Sequence, residues 1–166
     1  SSILCILLLG VAALSALQLM QQGVTLLVSA LAIVWIADTA AYFAGHRWGK
    51  TKLAPRTSPG KTWAGVGGAM VAVLMLAMVL AWLAPGWPIF STRLLQHLHP
   101  VVGLPILCGL VAISIVGDLF ESLLKRQAGV KDSGKSLPGH GGVLDRIDAL
   151  LPVLPAAALL MTKFDL

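Results

Sequence analysis

Residues 101–120 read VVGLPILCGLVAISIVGDLF, and residues 122–148 read SLLKRQAGVKDSGKSLPGHGGVLDRID. The first stretch is almost wholly apolar and 20 residues long, about the length a helix needs to cross the hydrocarbon of a bilayer. The second holds five basic residues and three aspartates. Charges set against a membrane boundary are expensive unless they pair with each other or perform chemistry. The junction between the two stretches therefore points to a membrane helix that ends in a working site.

Composition extends this reading to the whole chain. Of 166 residues, 57% are hydrophobic and 11% charged, against about 25% charged in ordinary soluble domains. The apolar residues fall in five blocks, at about 3–20, 24–44, 63–84, 101–120 and 149–162. Segments that span lipid are expected to be helical, because backbone groups find no partners there. The expected fold is thus an all-α, polytopic integral membrane helix bundle of about five transmembrane helices. The last block is short and contains Pro152 and Pro155. Gly65, Gly67 and Gly68 predict one close helix contact. The opening Ser1-Ser2 has neither a Met nor a basic flank, so the first block does not read as a signal peptide. The chain is expected to be a single membrane domain over residues 1–166, the C-terminal part of a longer protein.

Charge predicts the sidedness. Residues 46–61 hold Arg47, Lys50, Lys52, Arg56 and Lys61 and no acid; residues 125–148 hold Lys125, Arg126, Lys131, Lys135 and Arg146. Ten of the twelve basic residues lie in these two segments. Two predicted spans separate them, which puts both on one face, and the positive-inside rule makes that face cytoplasmic. Basic loops also suit anionic lipid heads. Nucleic acid is not an expected partner, since there is no binding motif or aromatic platform. Cys5 and Cys108 sit far apart inside apolar blocks, which suits inert buried thiols and neither a disulfide nor a zinc site.

Three constellations carry chemistry. On a helix, Asp118, Glu121, Ser122 and Lys125 fall at i, i+3, i+4 and i+7 and form one polar stripe. Asp118 can hold Mg²⁺ there, with Glu121 a further candidate; the plainer alternative is a Glu121–Lys125 pair within the helix. Asp145 and Asp148 would share a face one turn apart after the Gly141-Gly142 turn, with Asp145 a metal ligand and Asp148 a structural partner, because hard cations want oxygen ligands. Asp38 lies inside the second block, and an intramembrane carboxylate is by default a functional candidate; its alternative is a buried acid bonded to Tyr42 or to a basic residue. Residues 129–136, GVKDSGKS, fit the G-x-x-x-x-G-K-S spacing of a phosphate loop. No strand precedes them, so that match is accidental.

The run Ser122, Lys125-Arg126, Lys131-Asp132, Pro138, His140-Gly141-Gly142 and Asp145-Arg146 with Asp148 resembles the signature of the phosphatidate cytidylyltransferases (CDP-diacylglycerol synthases). Ser58-Pro59-Gly60-Lys61-Thr62 is similar to a segment that opens a span in the same family. The resemblance covers residues 38–148, with the signature region at 117–148. Many relatives carry an acid or amide two residues after that Thr, where this chain has Ala64. The resemblance implies transfer of a cytidylyl group from CTP to phosphatidic acid, giving CDP-diacylglycerol and pyrophosphate in phospholipid biosynthesis. It implies Mg²⁺ on Asp118, Asp145 and Glu121, and catalytic roles for Asp118, Asp145, Lys125 and Lys131. Ser58, Lys61, Thr62, Arg126, Asp132, His140, Asp148 and Asp38 would contact substrates, with Lys61 on phosphate. It also implies a homodimer in the bacterial inner membrane, with its site facing the cytoplasm. A CTP-dependent polyprenol or lipid kinase would need similar groups. A transporter should show internal repeats or paired interrupted helices, and none is visible.

Overall fold

The computed structural model describes residues 2–130 and 147–165, and side chains from residue 6 onward. All five apolar blocks are helical. The elements in chain order are α1 (Ser2–Gln22), α2 (Val24–Trp48), β1 (Lys52–Ala54), β2 (Ser58–Thr62), α3 (Trp63–Leu83), α4 (Phe90–His97), α5 (Pro100–Gln127) and α6 (Leu150–Phe164). Three of these, α2, α3 and α5, are long and apolar enough to cross a membrane. Shorter apolar helical stretches run over Ile6–Gln22 of α1 and Leu150–Phe164 of α6. The chain is an integral membrane protein, and its described residues are helical apart from one hairpin and the connecting turns.

Tryptophans mark the height of the membrane band. Trp63 and Trp82 lie at the two ends of α3 and are both exposed, as are Trp48 at the end of α2 and Trp87 just beyond α3. At 1.5 Å per residue, Trp63 and Trp82 stand about 28 Å apart, close to the thickness of the hydrocarbon core. Tryptophans favour the two membrane–water interfaces, so α3 is the ruler of the bundle. Val71, Met75 and Met78 between them are exposed, as lipid-facing side chains should be.

α2 and α3 form the most extensive contact. A Cβ on Gly68 would lie 2.3 Å from Ala44 Cβ, and one on Gly65 would lie 2.9 Å from Ala41 O. Two of the three glycines expected to make a close contact therefore do so. Gly67 faces open space, because it lies on the other side of the helix.

Two elements were not anticipated. The segment between α2 and α3 forms an antiparallel hairpin, with Lys52 opposite Thr62 and Ala54 opposite Ser58. Pro59 is tolerated because a two-stranded ribbon is all edge. The segment between α3 and α5, which joins the third and fourth apolar blocks, contains α4, whose Phe90 and Leu94 are completely buried. The backbone N–H of Phe90 donates to Ser29 Oγ at 2.9 Å and ties α4 to the start of α2.

The largest fully buried side chains are Leu19, Leu26, Phe90, Leu94, Leu107 and Met161. They come from the end of α1, the start of α2, α4, the start of α5 and the end of α6. The dense core thus occupies the half of the bundle remote from the hairpin. Gln18 donates to Thr162 Oγ1 at 2.7 Å in that same half. Polar chemistry is left to the opposite end.

Candidate active site at the hairpin end

Three pieces of backbone converge at the hairpin end: β2 with the start of α3, the last turns of α5, and the residues just before α6. Thr62 fixes the first. It is buried, and its Oγ1 caps α3 by accepting from Gly65 N at 3.1 Å. The cap satisfies one of the orphan N–H groups at a helix start. Thr62 was expected to contact substrate; its oxygen accepts the cap bond, which sets the position of its neighbour Lys61, and its hydroxyl proton is not used by that bond. Ser58 lies half-buried on the same strand.

Lys61 reaches across to α5. Its Nζ stands 2.7 Å from Asp118 Oδ2 and donates to Ile115 O at 3.2 Å. The other Asp118 oxygen, Oδ1, is 3.4 Å from Ser122 Oγ. The polar stripe expected on this helix is present, since α5 continues unbroken to Gln127. Its next rung is Lys125 Nζ to Glu121 Oε2 at 3.0 Å, the intrahelical pair weighed above as the plainer alternative. Arg126 is exposed beside it. Asp38, on the surface of α2, lies within electrostatic reach of both Lys61 and Asp118.

Asp148 arrives through a close approach of helices. A Cβ on Gly117 would stand 2.6 Å from Pro152 Cγ and 3.0 Å from Asp148 O. Only glycine lets the start of α6 press so near to α5. Asp148 Oδ1 accepts from Ala149 N at 2.7 Å, and its carboxyl lies against that of Glu121. Burial holds the Asp148 carboxyl above the usual carboxylate range; the hydrogen bond with Glu121 opposes this, and the negative charge of Asp118 adds to it. Glu121 Oε1 is buried with no hydrogen-bond donor. Two carboxyl groups in contact are satisfied by a shared proton or a cation.

Asp38, Asp118, Glu121 and Asp148 thus form one acidic run, stitched by Lys61 and Lys125. Sequence reasoning placed these residues in three separate constellations. The Lys61–Asp118 pair and the Glu121–Asp148 contact join them. Gly117, one turn before Glu121, is the only sequence signal of the second. The expected site residues Lys131, Asp132, His140 and Asp145 lie outside the described residues.

The donor set suits a hard divalent cation, which prefers carboxylate oxygens. Asp118 already has a cationic group against one oxygen, and Glu121 keeps a buried oxygen without a donor. Among the described residues, no three acidic, His or Cys side chains converge on one point. Two clefts, one lined by Met78, Trp82 and Leu104 and the other by Ile106, Leu110 and Leu159, are apolar and contain none of these acidic residues.

A membrane helix bundle with a lysine–carboxylate cluster at one end places the chain among helical membrane proteins with a polar site at one end of the bundle. Residues 1–164 match the profile of the cytidylyltransferase family, and the chain belongs to that family. It is 47% identical over 135 residues to a phosphatidate cytidylyltransferase of Haemophilus influenzae, covering 81% of this chain and 44% of that protein. It is 50% identical over 144 residues to one of Brucella suis, covering 83% and 46%. A relative of the same name from Bacillus subtilis is 40% identical over 148 residues, covering 87% and 50%. The chain spans about half the length of the curated relatives it matches.

Proposed function

We propose that the protein bearing this chain transfers a cytidylyl group from CTP to phosphatidic acid, releasing pyrophosphate and forming CDP-diacylglycerol for phospholipid synthesis. The observation that carries this reading is the meeting of Lys61, Asp118, Glu121, Lys125 and Asp148 at one end of a lipid-embedded bundle, in a chain whose relatives bear that name. The substrates suit the layout. CTP arrives from water, and phosphatidic acid keeps its acyl chains in the bilayer with its phosphate at the interface.

The nucleophile is a phosphatidate oxygen that is already anionic. It forms a bond to the α-phosphorus of CTP as the bond to pyrophosphate breaks. No strong general base is needed; the task is to bring like charges together. Lys61, Lys125, Arg126 and Lys131 would hold phosphates, and Thr62 keeps Lys61 in place. Asp118, Asp145 and Glu121 would hold Mg²⁺, which when bound neutralises charge on the departing pyrophosphate. Asp148 would support Glu121, and Asp38 would add negative charge beside Asp118. Asp132, His140 and Ser58 complete the substrate-facing set.

The exposed Arg47, Lys50, Lys52, Arg56 and Arg126 surround this end, which favours a cytoplasmic orientation in a bacterial inner membrane. In this reading α1 and α6 are the fourth and fifth spans, and the protein works as a homodimer.

The test is CTP turnover in mixed micelles with phosphatidic acid, with and without Mg²⁺, on wild type, Asp118→Asn and Asp145→Ala. The expected result is metal-dependent CDP-diacylglycerol from wild type and a loss of at least about a hundredfold in either variant. A folded wild type that binds CTP but yields CDP and a phosphorylated lipid would make it a kinase instead.

A further inference from the structure

The Lys61–Asp118 contact puts an ammonium against one oxygen of a proposed metal ligand. Nζ is 2.7 Å from Oδ2, whereas Mg²⁺ binds carboxylate oxygen at about 2.0–2.1 Å. Two cations cannot share that side of one oxygen. We propose that Lys61 and a divalent cation exchange at Asp118: the lysine holds the carboxylate while the site is free, and cation binding releases the lysine to the nucleotide phosphates. This rests on the metal and CTP reading above and adds an order of events to it.

Three observations carry the exchange. First, among the described residues Lys61 is held at its tip by two groups, Asp118 Oδ2 and Ile115 O. Second, its backbone is fixed on both sides, by the Lys52–Thr62 pairing and by the Thr62 cap. Release is therefore a swing of a flexible four-carbon stem and needs no movement of the strand. Third, Asp38 lies within reach of both partners. Once the ammonium leaves, the negative charges of Asp38 and Asp118 are left without it, and their mutual repulsion favours an incoming cation. The pair is half-open to solvent, at 22% and 32% exposure, so it can be exchanged without unpacking the bundle.

The exchange makes Lys61 act in opposite directions on the two ligands. A lysine that only touched phosphate would leave metal affinity alone when removed. One that only supported the fold would weaken both ligands together. The measurement is Mn²⁺ binding without nucleotide, read from the electron paramagnetic resonance signal of free Mn²⁺, on purified protein in lipid nanodiscs. Lys61→Met is expected to bind Mn²⁺ about two- to fivefold more tightly than wild type, the worth of a solvent-accessible ion pair, while its KM for CTP rises. Equal or weaker Mn²⁺ binding by folded Lys61→Met overturns the exchange and leaves the proposed reaction standing. Retention of wild-type Mn²⁺ affinity by Asp118→Asn overturns the metal assignment and the exchange with it. A second readout needs no variant. Mn²⁺ should increase modification of Lys61 by a small amine-acylating reagent, measured by mass spectrometry on wild type; unchanged labelling overturns the exchange.

Discussion

Replacing Gly117 with alanine adds one methyl group at the tightest point between α5 and the start of α6. The new Cβ would meet Pro152 Cγ at 2.6 Å and Asp148 O at 3.0 Å. Neither can yield cheaply, because one belongs to a rigid ring and the other to backbone. Overpacking of this kind costs about 1–3 kcal/mol. Alanine recovers about 0.5–1 kcal/mol of helix propensity, so the net loss is about 1–2 kcal/mol. The relief that remains is for α6 to move away, which separates Asp148 from Glu121. Gly109, two turns earlier on the same helix, is the matched control, since a Cβ there meets nothing within 4 Å. Gly109→Ala should be neutral or stabilising by up to about 1 kcal/mol. The assay is thermal unfolding in detergent, followed by tryptophan fluorescence, together with CTP turnover. A Gly117→Ala protein as stable and as active as Gly109→Ala would refute the claim that this glycine sets the site.

Loss of the α3 cap in Thr62→Ala should lower stability by about 0.5–2 kcal/mol, with Thr62→Ser largely restoring it; equal behaviour of the two in a denaturation series would remove the capping role. Phe90→Ala should cost about 3–5 kcal/mol, measured by thermal unfolding, because Phe90 is completely buried. Asp148→Asn tests the sign of a buried acid. Its carboxyl is held above the usual range, so the ionised form is disfavoured in the fold. Whatever stability the protonated acid contributes is present at low pH and fades as pH rises through the raised value. Asn keeps an oxygen for Ala149 N. The variant should match wild type near pH 4 and become relatively more stable toward neutrality; a difference that does not change with pH, or grows the other way, would contradict this.

The five helices were legible because apolar blocks near 20 residues have few other solutions in lipid. The stripe on α5 was legible for a related reason: Asp118, Glu121, Ser122 and Lys125 obey helical spacing, and nothing interrupts the helix. α4 was missed because residues 85–100 carry too few apolar residues for a span, yet Phe90, Leu94 and Leu95 have helical spacing and mark a buried face. The hairpin was missed because its strands are short and one contains Pro59. The joining of the constellations was beyond reach from one chain. The contact of Lys61 with Asp118 spans 57 positions, and nothing in the local sequence of either names the other. Thr62 was expected to contact substrate because of its place in a resembling segment; the local physics of a Thr three residues before Gly65 at a helix start describes a cap as well.

The packing of α4 into the end of the bundle remote from the hairpin has an electrical consequence. A cluster of charges reaching into a bilayer is a potential leak, because each elementary charge that crosses carries about 2.3 kcal/mol per 100 mV of membrane potential. Phe90, Leu94, Leu26, Leu107 and Met161 are buried across the opposite half of the bundle, and Phe90 N is tied to Ser29. That half is an insulator. Packed apolar side chains thereby separate Asp38, Asp118 and Lys61 from the far end of the bundle, so a charge that reaches them from the hairpin end meets no polar path onward among the described residues and the voltage across a membrane is not spent there.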